Sequence, residues 1–229
     1  MLVSHEHKFV FVHLGKTGGD SFTEAFGPLC NSNPTDVNKE NTILHPKFIK
    51  HAKIWEIQQA FECLGWNLND YYKFMVIRNP FEVLHSDYYY HKFVGIKNFP
   101  DGPPDENIQD YAWHLKCYET INKSFEDYIK EVYGYWDKGF LGNWARDKNG
   151  NMLINKIIRH EKMESDFKEL CNTIGITNIQ LPKVNVTSDL LKISRPSPKN
   201  DFTPDLIELV KRVFKEEIAI YGYSLEEAK

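Results

Sequence analysis

Two short runs of apolar residues near the start of the chain predict buried strands. The first covers residues 9–14 and ends at Gly15, and the second covers residues 74–77. Both are rich in β-branched and aromatic side chains and are followed at once by polar residues. A third run, over residues 153–158, predicts one more strand.

Apolar residues at helical spacing predict helices between and after these strands. The predicted helices cover residues 21–26, 51–64, 80–93, 124–134, 165–174 and 203–222, whereas residues 30–41 and 98–106 are polar and predict loops. Asn79 and Ser124 are suitable N-caps for two of the helices. Strands that alternate with helices predict an α/β fold, with a parallel sheet flanked by helices on both faces. We expect a single domain over residues 1–229.

Composition excludes several classes of protein. The chain has 229 residues, of which 41% are hydrophobic and 26% charged, as in a globular domain, and its net charge of −4 does not favour a nucleic-acid partner. We expect no membrane span, because no stretch approaches the ~20 apolar residues that a spanning helix needs. The four cysteines are scattered, with no CxxC pair. We therefore expect reduced thiols and a cytoplasmic protein.

The loop after the first strand has the composition of an anion site. Residues 15–21 read GKTGGDS, so glycines, a lysine, two hydroxyls and a helix start follow one another. Glycines let backbone N–H groups close around an oxyanion, and Lys16 and the helix N-terminus add positive charge. The alternative is an ordinary glycine turn with a solvated lysine. The loop does not match the GxxxxGK[ST] pattern of nucleotide triphosphatases.

A second candidate anion site follows the second strand. Arg78 stands at the carboxyl end of that strand, where open α/β sheets bind ligands, and its guanidinium can hold a phosphate through two hydrogen bonds. Ser86 comes eight residues later, about two helical turns on. The alternatives are a salt bridge from Arg78 to Glu82 or Asp87, and a Ser86 hydroxyl bonded to a helix carbonyl. Two such sites predict a ligand with two separated phosphates.

At these two loops the chain resembles a known family. Residues 16–21, KTGGDS, are similar to the KTGGTS loop of sulfotransferases of the carbohydrate branch, and residues 78–90 resemble that family's RNPxxRxxSxYYY element. Residues 50–57 resemble a KHxxxxEI stretch, residues 157–167 contain RxExxxxDF, and residues 181–185 match LPxxN. The similarity extends over nearly the whole chain in the family's order.

The resemblance implies a P-loop-like fold and a 3′-phosphoadenosine 5′-phosphosulfate (PAPS) co-substrate, with no metal. It implies that Lys16 neutralises charge on the leaving phosphate and that Arg78 and Ser86 anchor the 3′-phosphate. The implied cofactor-binding residues are Lys16, Thr17, Gly18, Gly19, Asp20, Ser21, Arg78 and Ser86. The acceptor would carry a hydroxyl, as a glycan or a small molecule does.

Sulfuryl transfer to a hydroxyl also needs a base, and histidine suits this task near neutral pH. His51 is our first choice, because it lies in the segment that matches the family's KHxxxxEI stretch. It could equally be a surface residue at a helix start. Glu56 and His13 are reserve candidates, although His13 fits a packed strand residue better. His5 and His7 could chelate a metal, but an exposed N-terminal tail explains them more simply.

Two departures from the family pattern favour an alternative function. Asp20 replaces a threonine and puts a negative charge beside the anion loop, and Val83 replaces an arginine. The alternative is a catalytically silent protein of the same fold that binds a nucleotide or a glycan. A kinase-like phosphotransferase is disfavoured by the missing Walker pattern.

Residues 91–150 are expected to form a helical, aromatic-rich insertion on the acceptor side. Its aromatic residues could stack on sugar rings, or they could simply fill a second small core. They are Tyr111, Trp113, Tyr118, Tyr133, Tyr135, Trp136 and Trp144.

Overall fold

The computed structural model describes residues 1–30, 50–184 and 196–228. Its strands form one four-stranded sheet in the order β1-β2-β3-β4. The strands are β1 (Leu2–Ser4), β2 (Phe9–Val12), β3 (Tyr72–Ile77) and β4 (Lys156–Arg159). β2, β3 and β4 are parallel, but β1 pairs antiparallel with β2. The prediction of a purely parallel sheet was therefore wrong at this edge, where the chain turns back within a few residues.

Ten α-helices occur in the described residues. They are α1 (Gly19–Phe26), α2 (Ile54–Cys63), α3 (Pro80–Asn98), α4 (Tyr111–Thr120), α5 (Phe125–Tyr133), α6 (Phe140–Trp144), α7 (Met163–Thr173), α8 (Pro198–Asp201), α9 (Pro204–Val213) and α10 (Lys215–Tyr221). None of them is long and apolar enough to cross a bilayer. Together the sheet and its flanking helices form the α/β architecture that the sequence predicted.

The chain divides into two compact units. The first comprises Met1–Arg78 and Phe140–Asn185, and the second comprises Asn79–Gly139 and Val186–Lys229. The first unit contains the whole sheet. On one of its faces an aromatic core joins the sheet to α1 and α7, formed by Phe9, Phe11, Phe22, Phe26, Phe74 and Phe167, with smaller apolar neighbours.

The second unit is built around α3. The carboxylate of Asp87, on this helix, accepts hydrogen bonds from the hydroxyls of Tyr128 (2.7 Å) and Tyr133 (2.9 Å), both on α5. His85 and Tyr89 contact the carboxylate of Asp201 in α8 at 3.0 and 2.8 Å. The buried carboxylate of Asp87 is thus paired, as a charged group in a core must be.

Several predicted boundaries differ from the structure for local reasons. The third strand was predicted at residues 153–158 but begins at Lys156, because the backbone N–H of Leu153 bonds to Ala145 O in a neighbouring turn. The last helix was predicted as continuous and is divided at Phe214. Most of the predicted loop at 30–41 and the end of the LPxxN segment, Asn185, lie outside the described residues.

Candidate functional site

Three neighbouring strands end at one edge of the sheet and bring candidate residues together there. The register pairs Val12 of β2 with Met75 of β3, and Ile77 of β3 with Arg159 of β4. The loop containing Lys16 and the residue Arg78 therefore leave adjacent parallel strands at the same carboxyl edge. This is the edge at which open α/β sheets bind their ligands.

The loop at residues 15–21 has an unusual backbone. Lys16 (φ 64°) and Gly18 (φ 83°) both lie in the left-handed region, and Gly18 is the N-cap of α1. Such a conformation costs a non-glycine residue about 1–2 kcal/mol. Successive N–H groups in a turn of this kind, ahead of a helix, form an anion-binding concavity.

His13 and Gly19 are in such close contact that the His13 ring leaves no space for a side chain at position 19. A Cβ at Gly19 would lie 2.3 Å from His13 Cδ2. The imidazole is buried, stacks on Phe11 at 5.4 Å and leaves Nδ1 without a hydrogen-bond partner in the described chain. Burial holds the pKa of His13 well below its usual value, so the ring is neutral at physiological pH. The expectation that His13 is a packed residue facing the loop is confirmed.

The ring of His51 lies beside the same loop. Its Nδ1 is 2.9 Å from the carbonyl oxygen of His13, and a Cβ at Gly15 would be 3.7 Å from its Cε1. A carbonyl only accepts hydrogen bonds, so Nδ1 carries the proton and Nε2 keeps its lone pair. The residue keeps an exposed edge, but packing against His13 removes water from the ring and lowers the pKa of His51. The arrangement produces a neutral imidazole whose free nitrogen can accept a proton.

The negative charge of Asp20 has a counter-ion. Lys50 Nζ lies 2.7 Å from Asp20 Oδ1, and both side chains are about one-third exposed (39% and 34%). Asp20 also lies in the first turn of α1, where a carboxylate interacts favourably with the helix dipole. No sequence pattern indicated this pair, because its members lie 30 positions apart.

Glu56 and His5, which the sequence offered as a base and as a metal ligand, both make structural contacts instead. The carboxylate of Glu56 accepts a hydrogen bond from the backbone N–H of Lys53 at 2.7 Å, so it caps the start of α2. His5 is not in an exposed tail, because it contacts the hydroxyl of Tyr71 at 2.6 Å and packs on Trp66. No group of side chains suited to a metal ion occurs among the residues that the structure describes.

The hydroxyls of the first loop have local partners. Thr17 is buried and donates to the carbonyl of Leu14 at 2.8 Å, which closes the turn after β2. Ser21 accepts a bond of 3.5 Å from the backbone N–H of Val184. A Cβ at Gly18 would lie 2.6 Å from Met163 Cε and 3.1 Å from His160 Cδ2. The start of α7 therefore encloses the loop, a contact that no sequence pattern indicated.

The second motif is divided between the two units. Arg78 is half-buried and directly follows β3, whereas Asn79 caps α3 by accepting a bond from the backbone N–H of Phe81. Asn79 also donates to the carbonyl of Ser224 at 2.7 Å. Ser86 is buried on α3, and its hydroxyl bonds to no helix carbonyl in the described residues, contrary to the alternative considered for it. Val83, which stands at the position of a family arginine, is buried.

The aromatic residues of the predicted insertion have mixed roles. Tyr133 is buried and bonded to Asp87, so it belongs to the core of the second unit. Tyr135 and Trp113 are exposed (78% and 37%). Trp144 belongs to the first unit, where its indole N–H donates to the carbonyl of His51 at 3.4 Å.

Sequence comparison identifies the family. The family model described as the sulfotransferase family matches residues 1–224 of the chain. Neither the curated proteins nor the solved structures give a match. The family match spans both units, including the KTGGDS loop at the sheet edge and the RNP element that opens α3. The chain therefore belongs to the sulfotransferase family.

Proposed function

We propose that the protein transfers the sulfuryl group of PAPS to an acceptor hydroxyl, and that the acceptor is a carbohydrate. The observation that carries this proposal is the position of a neutral histidine, His51, beside the glycine-rich loop that contains Lys16. Membership of the sulfotransferase family supports the choice of donor. When bound, PAPS supplies an activated sulfuryl group.

The shape of the loop fits the phosphate end of such a donor. Neither Gly18 nor Gly19 can carry a Cβ, because Met163 and His13 already occupy that space, and Lys16 and Gly18 both adopt the left-handed backbone found in anion-binding turns. Lys16 would neutralise the leaving phosphate, and residues 17–21 would hold the 5′ end. The resemblance of residues 78–90 to the family's RNPxxRxxSxYYY element supports assigning Arg78 and Ser86 to the 3′-phosphate.

His51 would act as the base. Its Nε2 would accept the proton of the acceptor hydroxyl while its Nδ1–H stays bonded to His13 O. A positioned base of this kind contributes about 10²–10⁴-fold to a rate. Because Glu56 is engaged in capping α2, it is the weaker candidate.

The test is transfer of labelled sulfate from PAPS to a panel of oligosaccharides, lipids and small alcohols, together with calorimetry of the desulfated nucleotide. We expect Lys16→Ala and Arg78→Ala each to weaken nucleotide binding about tenfold or more, the effect of losing roughly 1.4 kcal/mol. Lys168→Ala, at an exposed position of α7, is the matched control and should bind as the wild type does. Unchanged binding in both site variants would show that the site is wrongly assigned.

The same experiment separates the alternatives. Nucleotide binding without transfer to any acceptor would favour the silent binding protein. That alternative was motivated by Asp20, whose charge Lys50 balances. Magnesium-dependent consumption of ATP would favour a phosphotransferase.

A further inference from the structure

The second unit contains a cavity between the ends of α3 and α4. Its volume is about 460 Å³, within the range of about 300–1,000 Å³ that is usual for small-molecule sites. The wall is mainly apolar and is formed by Ile96, Phe99, Pro100 and Ile121. Ile96 is 45% exposed, so the cavity opens to solvent. A cavity of this size and composition suits a ligand with a small apolar body.

Two helices end side by side at this cavity. α3 and α4 run in the same direction, because His91 lies 6.2 Å from Trp113 between ring centroids and, one turn later, a Cβ at Gly95 would overlap the carbonyl oxygen of Cys117. The last turn of each helix contributes to the wall of the cavity. Since the C-terminal end of a helix carries about half a negative charge, the two ends together favour a cation there.

Three polar side chains of the wall keep their bonding capacity. The carboxylate of Asp101, the hydroxyl of Tyr118 and the side-chain amide of Asn122 have no hydrogen-bond or ion-pair partner among the residues that the structure describes. An ammonium group can donate hydrogen bonds to all three oxygens, and it also interacts favourably with aromatic rings. The polar groups and the helix ends therefore select the same kind of ligand.

The lysines closest to this cavity in sequence do not neutralise it. Lys97 is exposed in the last turn of α3 and is not part of the wall. Lys123 Nζ lies 2.8 Å from Glu131 Oε2 and 3.5 Å from Glu119 Oε2, so its charge is balanced elsewhere. Within the described chain, Asp101 is thus the one charged residue of the wall.

We propose that this cavity binds an organic ammonium that carries a small apolar group. The ammonium lies against Asp101 and the two helix ends, and the apolar group contacts Ile96, Phe99 and Ile121. This is a second ligand site in the second unit, and the proposal is independent of the donor and the acceptor of sulfuryl transfer.

The experiment titrates the full chain with three probes of similar size, which are phenethylamine, the neutral 2-phenylethanol and the anionic phenylacetate. The nuclear magnetic resonance shifts of backbone amides report both the affinity and the position of each probe. We expect the amine to bind at least about fivefold more tightly than the alcohol, and the anion to bind most weakly. The largest shifts should fall in residues 95–102 and 118–122, and added salt should reduce the preference for the amine.

Substitutions in the wall separate charge from shape. Asp101→Asn, at an exposed position, should weaken binding of the amine about fivefold and change that of the alcohol by no more than about twofold. Asp105→Asn is the matched control, because it removes the same charge from the same loop, where the Asp105 carboxylate accepts a bond from the backbone N–H of Asn107 at 2.8 Å. It should bind both probes as the wild type does. Ile96→Trp, which fills the cavity from its exposed rim, should weaken binding of both probes.

Three results would overturn the proposal. Equal affinity for the amine and the alcohol would show that the cavity does not select a cation. Shifts centred on other residues would place the amine elsewhere. Equal losses in Asp101→Asn and Asp105→Asn would show that the net charge of −4, rather than the cavity, attracts the amine. Urea unfolding of each variant checks that a loss of binding is not a loss of folding.

Discussion

At the residue scale, the contact between His51 and the main chain determines which ring nitrogen is available. A histidine in solution exchanges freely between two tautomers. Here the bond from Nδ1 to the carbonyl of His13 selects the one with a free Nε2, and packing against His13 lowers the pKa. Because the pKa is lowered, less of the base is lost to protonation near pH 7 than in a free histidine.

The pH dependence of the rate should show this shift. The base must be unprotonated, so kcat/KM should rise with pH through an apparent pKa below about 6.5 and stay level above it. His51→Gln should lower kcat by about 10²–10⁴-fold at every pH and leave nucleotide binding unchanged. A profile that still rises well above pH 7 in the wild type would indicate a different base.

The pair of Asp20 and Lys50 makes a second prediction at this scale. Lys50→Met removes the ammonium that pairs with the Asp20 carboxylate beside the anion loop, so we expect it to weaken nucleotide binding. Asp20→Thr, which restores the family residue, should strengthen it. The coupling between the two positions should be about 0.2–1 kcal/mol, as for other partly exposed ion pairs. Calorimetry of both single variants and the double variant gives this coupling, and strict additivity would mean that the pair is irrelevant to the site.

At the scale of elements, the loop between β2 and α1 depends on the absence of a side chain at Gly19. A methyl group there would overlap the buried imidazole of His13, which cannot move because Phe11 stacks on it. The beginning of α1 would have to shift and carry the loop N–H groups with it. The geometry of the anion loop therefore depends on His13, the residue that directly follows β2.

Gly19→Ala should consequently destabilise the protein by about 1–3 kcal/mol, as overpacking does, and weaken nucleotide binding. Gly15→Ala is the control for stability, because its new methyl group would meet His51 only at an ordinary contact distance of 3.7 Å. The double variant Gly19→Ala/His13→Ala should recover stability relative to Gly19→Ala. Urea unfolding measures all four proteins, and equal midpoints for the two glycine variants would contradict the packing explanation.

The elements also show what the sequence could and could not predict. The predicted caps at Asn79 and Ser124 are confirmed, because capping depends on residues only a few positions apart. The start of α2 was predicted at His51 but lies at Ile54, because the His51 side chain bonds to the carbonyl of His13, 38 positions away. The strand β1 was missed for a similar reason, since three residues carry too little periodicity to indicate a strand. Local signals were sufficient for element types, and long-range contacts set the boundaries.

At the scale of the whole molecule, the family was predictable because its motifs occur in order along the chain. The physical roles of several motif residues were not predictable. Asp166, for example, accepts a bond from the backbone N–H of Arg159 at the end of β4, and Phe167 packs into the aromatic core. Such positions support the sheet edge rather than the chemistry. The balancing of Asp20 by Lys50 and the enclosure of Gly18 by α7 required the folded chain.

Nucleotide binding should stabilise the folded chain as a whole. A ligand that binds only the native state adds about 2.7 kcal/mol at one hundred times its Kd. For a chain of this size that corresponds to a rise in Tm of about 5–10 °C, at about 2–4 °C for each kcal/mol. Differential scanning fluorimetry with the desulfated nucleotide should show the rise in the wild type and a much smaller one in Lys16→Ala. An equal shift in both proteins would place the nucleotide elsewhere.

The hydrogen-bond acceptor that orients His51 is a peptide carbonyl. No replacement of a side chain deletes a peptide carbonyl. The tautomer of His51 is therefore protected against mutation at position 13, as long as the backbone there keeps its conformation. Sequence drift can change the ring of His13, and with it the fit of the loop, while leaving the orientation of the base intact. Evolution could therefore retune donor affinity in this protein without changing which nitrogen of the base is free.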